Sequence, residues 1–366
     1  MRTGVFVATV KAFITMAAAI VFAAPTPVRA ETSSWSQRTT TETPAAKPET
    51  KRKTKPNARA KPARRKTVKT KATSAANDTP AAPSETGADP AFAAFQSSHF
   101  LTALERARTA AHDGDPAAHT LVGRILEEGL GVPRDPATAA KWYARADALG
   151  DENGAFALGV LHATGVGVEK NAVRAADFFA KASKRGHIGA TYNLALAYLS
   201  GTGRAIDEDG GARLMKRAAE AGDKTAQYDL GALYAKGFGV IQSEAQAALW
   251  TGKAAAAGLV SAQLDYAVML FKGRGVAKNI KRAAWYFRSA AERGNPVAQN
   301  RLARLYAVGV GVPQSRVDAA TWHMLARAQG VSDFKLDVIV SRLSDDIRED
   351  VAQRVASYVD RSMLNR

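Results

Sequence analysis

The sequence predicts an all-α protein, an α/α superhelical solenoid of six 36-residue helix-pair repeats preceded by a disordered basic arm. Two observations predict the solenoid: glycine recurs at a constant interval, and a Gly-x-Gly pair lies inside every interval. The recurring glycines are Gly114, Gly150, Gly186, Gly222, Gly258, Gly294 and Gly330. Periods of this length are typical of stacked supersecondary units, each packed on its neighbours.

Residues 1–30 have the pattern of a secretory signal peptide. Arg2 and Lys11 precede an apolar run at 12–24, and the segment ends in the small residue Ala30. The run is shorter than the roughly 20 residues needed to span a bilayer. We therefore predict cleavage after Ala30 and a periplasmic or secreted protein with no membrane span after cleavage. An uncleaved anchor, which would have to include Lys11, is the alternative.

Residues 31–90 are rich in Thr, Ala, Pro, Lys and Ser and poor in large apolar residues, which predicts a disordered linker. Within it, residues 47–71 carry twelve basic side chains against one acid, Glu49. This arm is either a solvated linker or an attachment to an anionic envelope polymer or membrane surface. Nucleic acid is a disfavoured partner, because a signal peptide precedes the arm and no aromatic residue is interleaved for base stacking.

The first helix of each repeat is predicted to begin just after the recurring glycine. Asp115-Pro116 and Asn295-Pro296 each combine a capping residue with proline at the first helical position. The Gly-x-Gly pair then ends the helix, because glycine accepts a positive φ at little cost. A valine follows the pair in five repeats, and Arg204 replaces it in the third.

The second helix of each repeat carries alanine at two positions without exception. These are Ala140, Ala176, Ala212, Ala248, Ala284 and Ala320, and, six residues later, Ala146, Ala182, Ala218, Ala254, Ala290 and Ala326. Bulky residues such as Trp142 and Trp250 lie between them. This alternation of small and large side chains predicts that the alanines lie where helices pack closely.

The repeat resembles that of the Sel-1-like family, a relative of the tetratricopeptide repeats. AQYDLGALYAKGFGV in the fourth repeat and RAAWYFRSAAERG in the fifth carry the family's pattern. The resemblance covers residues 114–330 and implies a scaffold or adaptor, including periplasmic signalling and envelope proteins. A cysteine-rich branch of the family carries a disulfide in each repeat, and this chain, with no cysteine, departs from it.

Segments 91–113 and 331–366 are predicted to cap the two ends of the solenoid with further helices. Residues 100–114 follow the spacing of a second helix, which makes a half repeat. After Gly330, Leu336 and Leu343 belong to one apolar stripe, and Ser344 begins a last helix. Terminal units with one polar face keep a solenoid soluble.

The sequence contains no motif that indicates catalysis, a cofactor or a metal. Cysteine is absent, and no two of the six histidines have the spacing that places two ligands on one helix face. His162 and His323 occupy repeat positions that are usually aromatic, which favours packing. The Gly-x-Gly pairs are interpreted as helix-ending turns rather than phosphate loops. We predict a protein that is not an enzyme, although sequence alone does not show which carboxylates are neighbours in space.

By resemblance to tetratricopeptide units, the first helices are expected to line a concave groove. The residue six positions after each opening glycine would point into it, and we call this set the first-helix ladder. Its members are Thr120, Phe156, Tyr192, Tyr228, Leu264 and Asn300. One turn later, Arg124 and Arg304 mark the ends of the groove. The apolar middle favours a bound protein or peptide, while the alternative is that the tyrosines only pack within the repeat.

Three functions remain open from the sequence. The first is an exported scaffold that binds a partner protein through its concave face, in envelope signalling or organisation. The second is an envelope-attachment protein whose basic arm at 47–71 binds and whose solenoid is a spacer. The third, an enzyme acting on cell-wall glycans, is disfavoured by the missing motifs.

Overall fold

The computed structural model describes residues 89–364, which form sixteen α-helices and no strand. The predicted signal peptide and basic arm lie outside the described residues, apart from Asp89 and Pro90. No helix in the described part of the chain combines the length and the apolar character that a membrane crossing needs. The predicted all-α fold class is confirmed.

The helices of the six repeats alternate along the chain. The first helices are α3 (Pro116–Glu128), α5 (Glu152–Thr164), α7 (Ile188–Ser200), α9 (Lys224–Lys236), α11 (Val260–Lys272) and α13 (Pro296–Val308). The second helices are α4 (Pro136–Ala148), α6 (Ala172–Arg185), α8 (Glu208–Glu220), α10 (Glu244–Ala256), α12 (Ile280–Glu292) and α14 (Arg316–Ala328). Each first helix packs on the second helix of its own repeat and on that of the preceding one. This sequential packing makes a solenoid.

Local sequence sets where the first helices begin and end. The Asp115 side chain accepts a hydrogen bond from the Ala117 amide, and Asn295 caps α13 in the same way. All six first helices end at the first glycine of the Gly-x-Gly pair, which adopts the left-handed conformation. The predicted role of these pairs as helix-ending turns is confirmed.

The second glycine of the pair has a separate role in stacking the repeats. Gly203 has a φ of 72° and packs against the amino-terminal turn of α6, in the preceding repeat. A Cβ atom built on Gly203 would lie 2.0 Å from the carbonyl oxygen of Ala172. Gly239 and Gly275 approach the preceding repeat equally closely. Glycine is therefore required here by close approach as well as by its φ.

The two alanine columns of the second helices are buried throughout, with at most 8% of any member exposed. Members of the second column, such as Ala254, are fully buried. The large side chains between the columns, such as Trp250, join the apolar core between neighbouring repeats. The alanines thus face neighbouring helices, as predicted from their lack of variation.

Both ends of the solenoid carry further helices. At the amino-terminal end are α1 (Pro90–Gln96) and α2 (Phe100–His112), and at the carboxyl-terminal end α15 (Phe334–Ser341) and α16 (Asp345–Leu364). Helix α16 packs on α14, and its Tyr358 hydroxyl donates to the main-chain carbonyl of Ala291, 2.8 Å away. The last helix therefore reaches back over the fifth repeat.

Candidate groove along the first helices

The first-helix ladder connects each repeat to the next. The Tyr192 hydroxyl donates to Asp229 Oδ2 at 2.8 Å, and the Tyr228 hydroxyl donates to Asp265 Oδ2 at 2.7 Å. Phe156 stacks on the ring of His187 with the ring centroids 4.1 Å apart. In all three cases the contact residue belongs to the following repeat.

Ladder residues nearer the ends make the same kind of contact. Thr120 Oγ1 donates to Asp151 Oδ2 at 2.5 Å, and Asn300 Nδ2 donates to Asp333 Oδ2 at 3.4 Å. Leu264 is half-buried against the apolar core of the fifth and sixth repeats. The ladder is therefore an inter-repeat contact, a role that neither interpretation of the sequence included.

Exposure separates the two tyrosines of the ladder. Tyr192 is buried, with 5% of its side chain exposed, whereas Tyr228 is only half-buried and its bond to Asp265 is solvent-exposed. Phe156 and Leu264 are also half-buried. Among these four residues, Tyr228 is thus the one that combines a solvent-exposed polar group with a partly exposed ring.

The two arginines at the ends of the ladder are engaged within the protein. Arg124 Nε donates to Glu128 Oε1 at 2.8 Å, and its guanidinium lies 4.9 Å from the ring centroid of Phe95. Arg304 forms an ion pair with Asp333, the residue that caps α15. These arginines connect the outer repeats to the terminal helices, and a partner would have to compete for them.

Burial of the Tyr192–Asp229 pair shifts the pKa of both groups. Burial raises the pKa of Asp229 to about 6; the hydrogen bond from Tyr192 opposes this rise and the nearby charge of Asp223 adds to it. Burial, together with Asp229, also raises the pKa of Tyr192, so its hydroxyl stays protonated and donates. A carboxyl group with a raised pKa binds its proton more tightly in the folded state. Its contribution to stability is therefore greatest below about pH 4 and is lost as the pH rises through about 6.

Substitution of Tyr192 by phenylalanine should make stability more pH-dependent. Loss of the donor leaves the buried Asp229 carboxylate without that bond, which should lower the free energy of unfolding by about 1–3 kcal/mol at pH 7.5. At pH 4.5 the carboxyl group is protonated and the loss should be smaller. Urea unfolding followed by circular dichroism at both pH values measures the difference.

Tyr228→Phe is the matched control for this experiment, because it removes the same hydroxyl from an exposed bond to Asp265. Its effect should be smaller and nearly the same at both pH values, since solvent replaces the lost donor. An equal loss for Tyr192→Phe at pH 4.5 and pH 7.5 would contradict the assigned role of Asp229.

A cavity of about 370 Å³ opens beside Tyr228, between α9 and α11. Thr251 of α10 lies at its floor together with Gly231. Its walls are mostly apolar. They comprise Tyr228, Ala232, Ala235 and Lys236 of α9 and Asp265, Val268, Met269 and Lys272 of α11, with Arg274 at the edge. A defined recess therefore lies beside the ladder residue Tyr228, between the first helices of the fourth and fifth repeats.

A small side chain, Thr251, lines this recess at a position where the other repeats have bulkier residues. In the first two repeats the equivalent residues are Tyr143 and Phe179, and each ring packs directly over a glycine of the first helix. The other equivalents are Met215, Phe287 and His323. In the fourth repeat the shorter Thr251 takes the place of the ring, and its Oγ1 packs against Gly231.

Reasoning from the sequence located Tyr228 but missed Thr251, Met269 and Lys272. The signal for Thr251 is present in the sequence, since it is the one small residue in an otherwise bulky column of the repeat alignment. Met269 and Lys272 give no such signal, because Met269 lies in a column that is apolar in every repeat and the column of Lys272 varies. Only their approach to α9 makes them part of the recess.

The histidines that the sequence assigned to packing are buried. His162 stacks on Phe178 at 5.6 Å with nearly parallel rings. The buried His323 places Nε2 2.8 Å from an Asp337 oxygen, which also accepts from Arg327. Within residues 89–364, no three His, Asp or Glu side chains are grouped so that they could hold a metal ion.

Comparison with known proteins gives one consistent family. The family model described as Sel1 repeat matches six consecutive segments, 116–151, 153–187, 188–223, 224–259, 260–295 and 296–331. A Sel1 repeat protein from Oxalobacter formigenes is 27% identical, with a TM-score of 0.56 over 68% of this chain and 100% of its own. No curated protein matches the chain.

Two further solved structures are similar. The protective antigen c5321 of uropathogenic Escherichia coli, which displays an SLR fold, is 27% identical, with a TM-score of 0.49 over 71% of this chain and 64% of its own. The immunity protein Pa5087 of Pseudomonas aeruginosa is 18% identical, with a TM-score of 0.35 over 66% of this chain and 81% of its own.

Proposed function

Because the chain belongs to the Sel1 repeat family, whose members are protein-interaction scaffolds, we propose that its first-helix face holds a segment of a partner protein. Proteins of this family are generally not enzymes, and the proposal extends that property to this chain. The family gives the type of function, and the recess beside Tyr228 gives the proposed place.

The recess is the observation that carries the proposal. Its volume of about 370 Å³ and its apolar walls suit a large apolar side chain, anchored between Tyr228 and Met269. Such anchors in desolvated recesses supply much of the binding energy of protein interfaces. Lys236 and Lys272 also line the recess and favour an acidic residue next to the anchor.

Filling the recess should weaken this binding without unfolding the protein. Thr251→Phe introduces the residue that the second and fifth repeats carry at this position, so the fold should tolerate it. We expect peptides selected from a phage-displayed random library against the full chain to bind Thr251→Phe at least about tenfold more weakly, a loss of about 1.4 kcal/mol. Fluorescence anisotropy with the selected peptides measures the dissociation constants.

Thr251→Ser is the control, because it keeps the recess and the hydroxyl group. It should bind the selected peptides with wild-type affinity, and both variants should retain the thermal transition of the wild type. Equal binding to wild type and Thr251→Phe would place the partner surface elsewhere and refute the recess as its centre.

The proposal includes export to the periplasm or the cell exterior, based on the signal-peptide pattern of residues 1–30. Amino-terminal sequencing of the mature protein should start at Glu31. Recovery of the protein with Met1 intact from the cytosol would refute export and reopen nucleic acid as a partner of the basic arm.

The basic arm supports a second proposed function, attachment to an anionic envelope polymer or membrane surface. Twelve basic residues at 47–71 should confer weak binding that salt reduces, because charges are screened beyond about 8 Å at physiological ionic strength. Deletion of 31–88 separates the two functions: peptide binding in the recess should persist, and retention on an anionic surface should be lost.

A further inference from the structure

A second cavity, of about 490 Å³, is lined by a different set of elements and is strongly basic. Arg174, Lys181 and Lys184 reach it from one face of α6, and Arg204 enters from the turn that precedes α8. Asp177 is the single acid in the lining. Four cations against one carboxylate leave an excess of positive charge that an anionic ligand would neutralise.

Half of this positive charge is not compensated within the protein. Arg204 pairs with Asp177 at 2.6 Å, and Lys181 pairs with Asp147 at 3.2 Å. By contrast, Arg174 and Lys184 are exposed and form no ion pair with any residue from 89 to 364. In addition, Arg204 Nε is buried and has no hydrogen-bond acceptor among the described residues. A buried donor without an acceptor is costly, and a bound anion close to Arg204 would relieve that cost.

The cavity is not a by-product of the repeat. Arg204 stands where the other five repeats have valine, as noted above. His162, at the cavity floor, occupies a column in which the other repeats have leucine or tyrosine. Both departures from the repeat pattern therefore place polar side chains in one cavity.

The spacing of the cations indicates an extended ligand. Arg174 and Lys184 are ten residues apart on α6, which separates their Cα atoms by about 15 Å along the helix axis. Cations spread over this length match an extended ligand better than a single inorganic anion, to which both side chains would have to bend inward. An extended peptide advances about 3.3 Å per residue, so four to five residues with acids at both ends would span about the same length.

The lining between these cations favours a peptide over a nucleic acid. About half of the cavity lining is apolar, and Phe178 lies between Arg174 and Lys184 on α6, which suits an apolar side chain flanked by carboxylates. The Phe178 ring already stacks on His162, and the Lys181 ammonium lies 4.9 Å from its centroid. The ring is thus engaged within the protein rather than displayed as a platform for a base.

We propose that this cavity binds a short acidic peptide segment with an apolar residue between its acidic ends. The carboxylates contact Arg174 and Arg204 at one end and Lys184 at the other, and the apolar side chain packs against Ala180 and the edge of the Phe178 ring, which leaves the ring's contacts with His162 and Lys181 in place. The basic arm at 47–71 is excluded as the occupant by its own positive charge. The inference does not depend on the recess at Thr251, because the two cavities share no lining residue.

The test measures binding of a fluorescent Glu-Glu-Leu-Glu-Glu peptide to the full chain by anisotropy at physiological ionic strength. Arg174→Gln/Lys184→Gln should weaken binding at least about tenfold, because it removes the two uncompensated cations. The control, Lys281→Gln/Arg282→Gln, removes the same charge from exposed residues of α12 and should change affinity less than about twofold. Thr251→Phe should bind this peptide as the wild type does. That result would show that the peptide does not bind in the recess at Thr251, so the two proposals are tested independently.

Three results would overturn the proposal. Equal weakening by the two double variants would show that the peptide responds to general positive charge, including that of the arm. A Gln-Gln-Leu-Gln-Gln peptide that binds as tightly as the acidic one would show that the cations are not used. Displacement of the labelled peptide by tripolyphosphate at or below the concentration needed with unlabelled peptide would identify a phosphate-polymer site instead.

Discussion

Replacement of Gly203 by alanine is expected to lower the free energy of unfolding by about 2–5 kcal/mol. A positive φ costs an L-residue about 1–2 kcal/mol, and Gly203 has a φ of 72°. The added methyl group would also lie 2.0 Å from the carbonyl oxygen of Ala172, so the stacking of the third repeat on the second must loosen. Overpacking of this kind costs a further 1–3 kcal/mol or so.

Gly131→Ala is the matched control for Gly203→Ala. Gly131 is the equivalent glycine of the first repeat and has a φ of 69°, but its nearest neighbour would be Phe100 Cβ at an ordinary 3.4 Å. Its substitution should lower the free energy of unfolding only by the cost of a positive φ, about 1–2 kcal/mol. Urea denaturation of both variants, followed by circular dichroism, measures the difference. Equal losses would show that the turn of the third repeat is not held against α6.

Substitution of Ala254 by leucine is expected to lower the free energy of unfolding by about 1–3 kcal/mol. Ala254 is fully buried in α10 and packs in the apolar core shared by the fourth and fifth repeats. The larger side chain has no free volume to occupy, so α10 and its neighbours must separate or the side chain must adopt a strained rotamer. Thermal and urea unfolding measure the loss.

Ala245→Leu makes the same change on the exposed side of α10 and serves as the control. Alanine and leucine are both strong helix formers, so the control should change stability by less than about 0.5 kcal/mol. If Ala254→Leu unfolds like the wild type, the alanine column does not lie at a helix contact.

The fold was predictable because its information is local and repeated. Asp115, Asn295 and the Gly-x-Gly pairs mark helix ends through the conformation of single residues, and the structure confirms these ends. The alanine columns marked buried contacts, because a position that accepts only alanine in six repeats leaves no room for a larger side chain. The close approach of Gly203 to Ala172 was not predictable, since it depends on the rotation between repeats.

The candidate site was predictable only in part. The ladder positions were predicted from the resemblance to tetratricopeptide units and the 36-residue repeat, and Tyr228 does line the recess. Tyr192, by contrast, is buried against Asp229. This contact depends on the position of α9, the first helix of the following repeat. The basic cavity around Arg204 was not predicted at all, although the sequence shows that Arg204 occupies a position where the other repeats have valine.

By itself, the sequence determined the helices, their ends, the number of repeats and the residues that pack between helices. These properties depend on one residue and its neighbours within a few turns, so a repeated pattern is enough to identify them. Only the tertiary structure decided which polar groups pair between repeats and where the stack leaves space. Pairs such as Tyr192 with Asp229 and cavities such as that above Thr251 depend on the distance and rotation between neighbouring repeats. That geometry results from the summed packing of many side chains, and no single position encodes it.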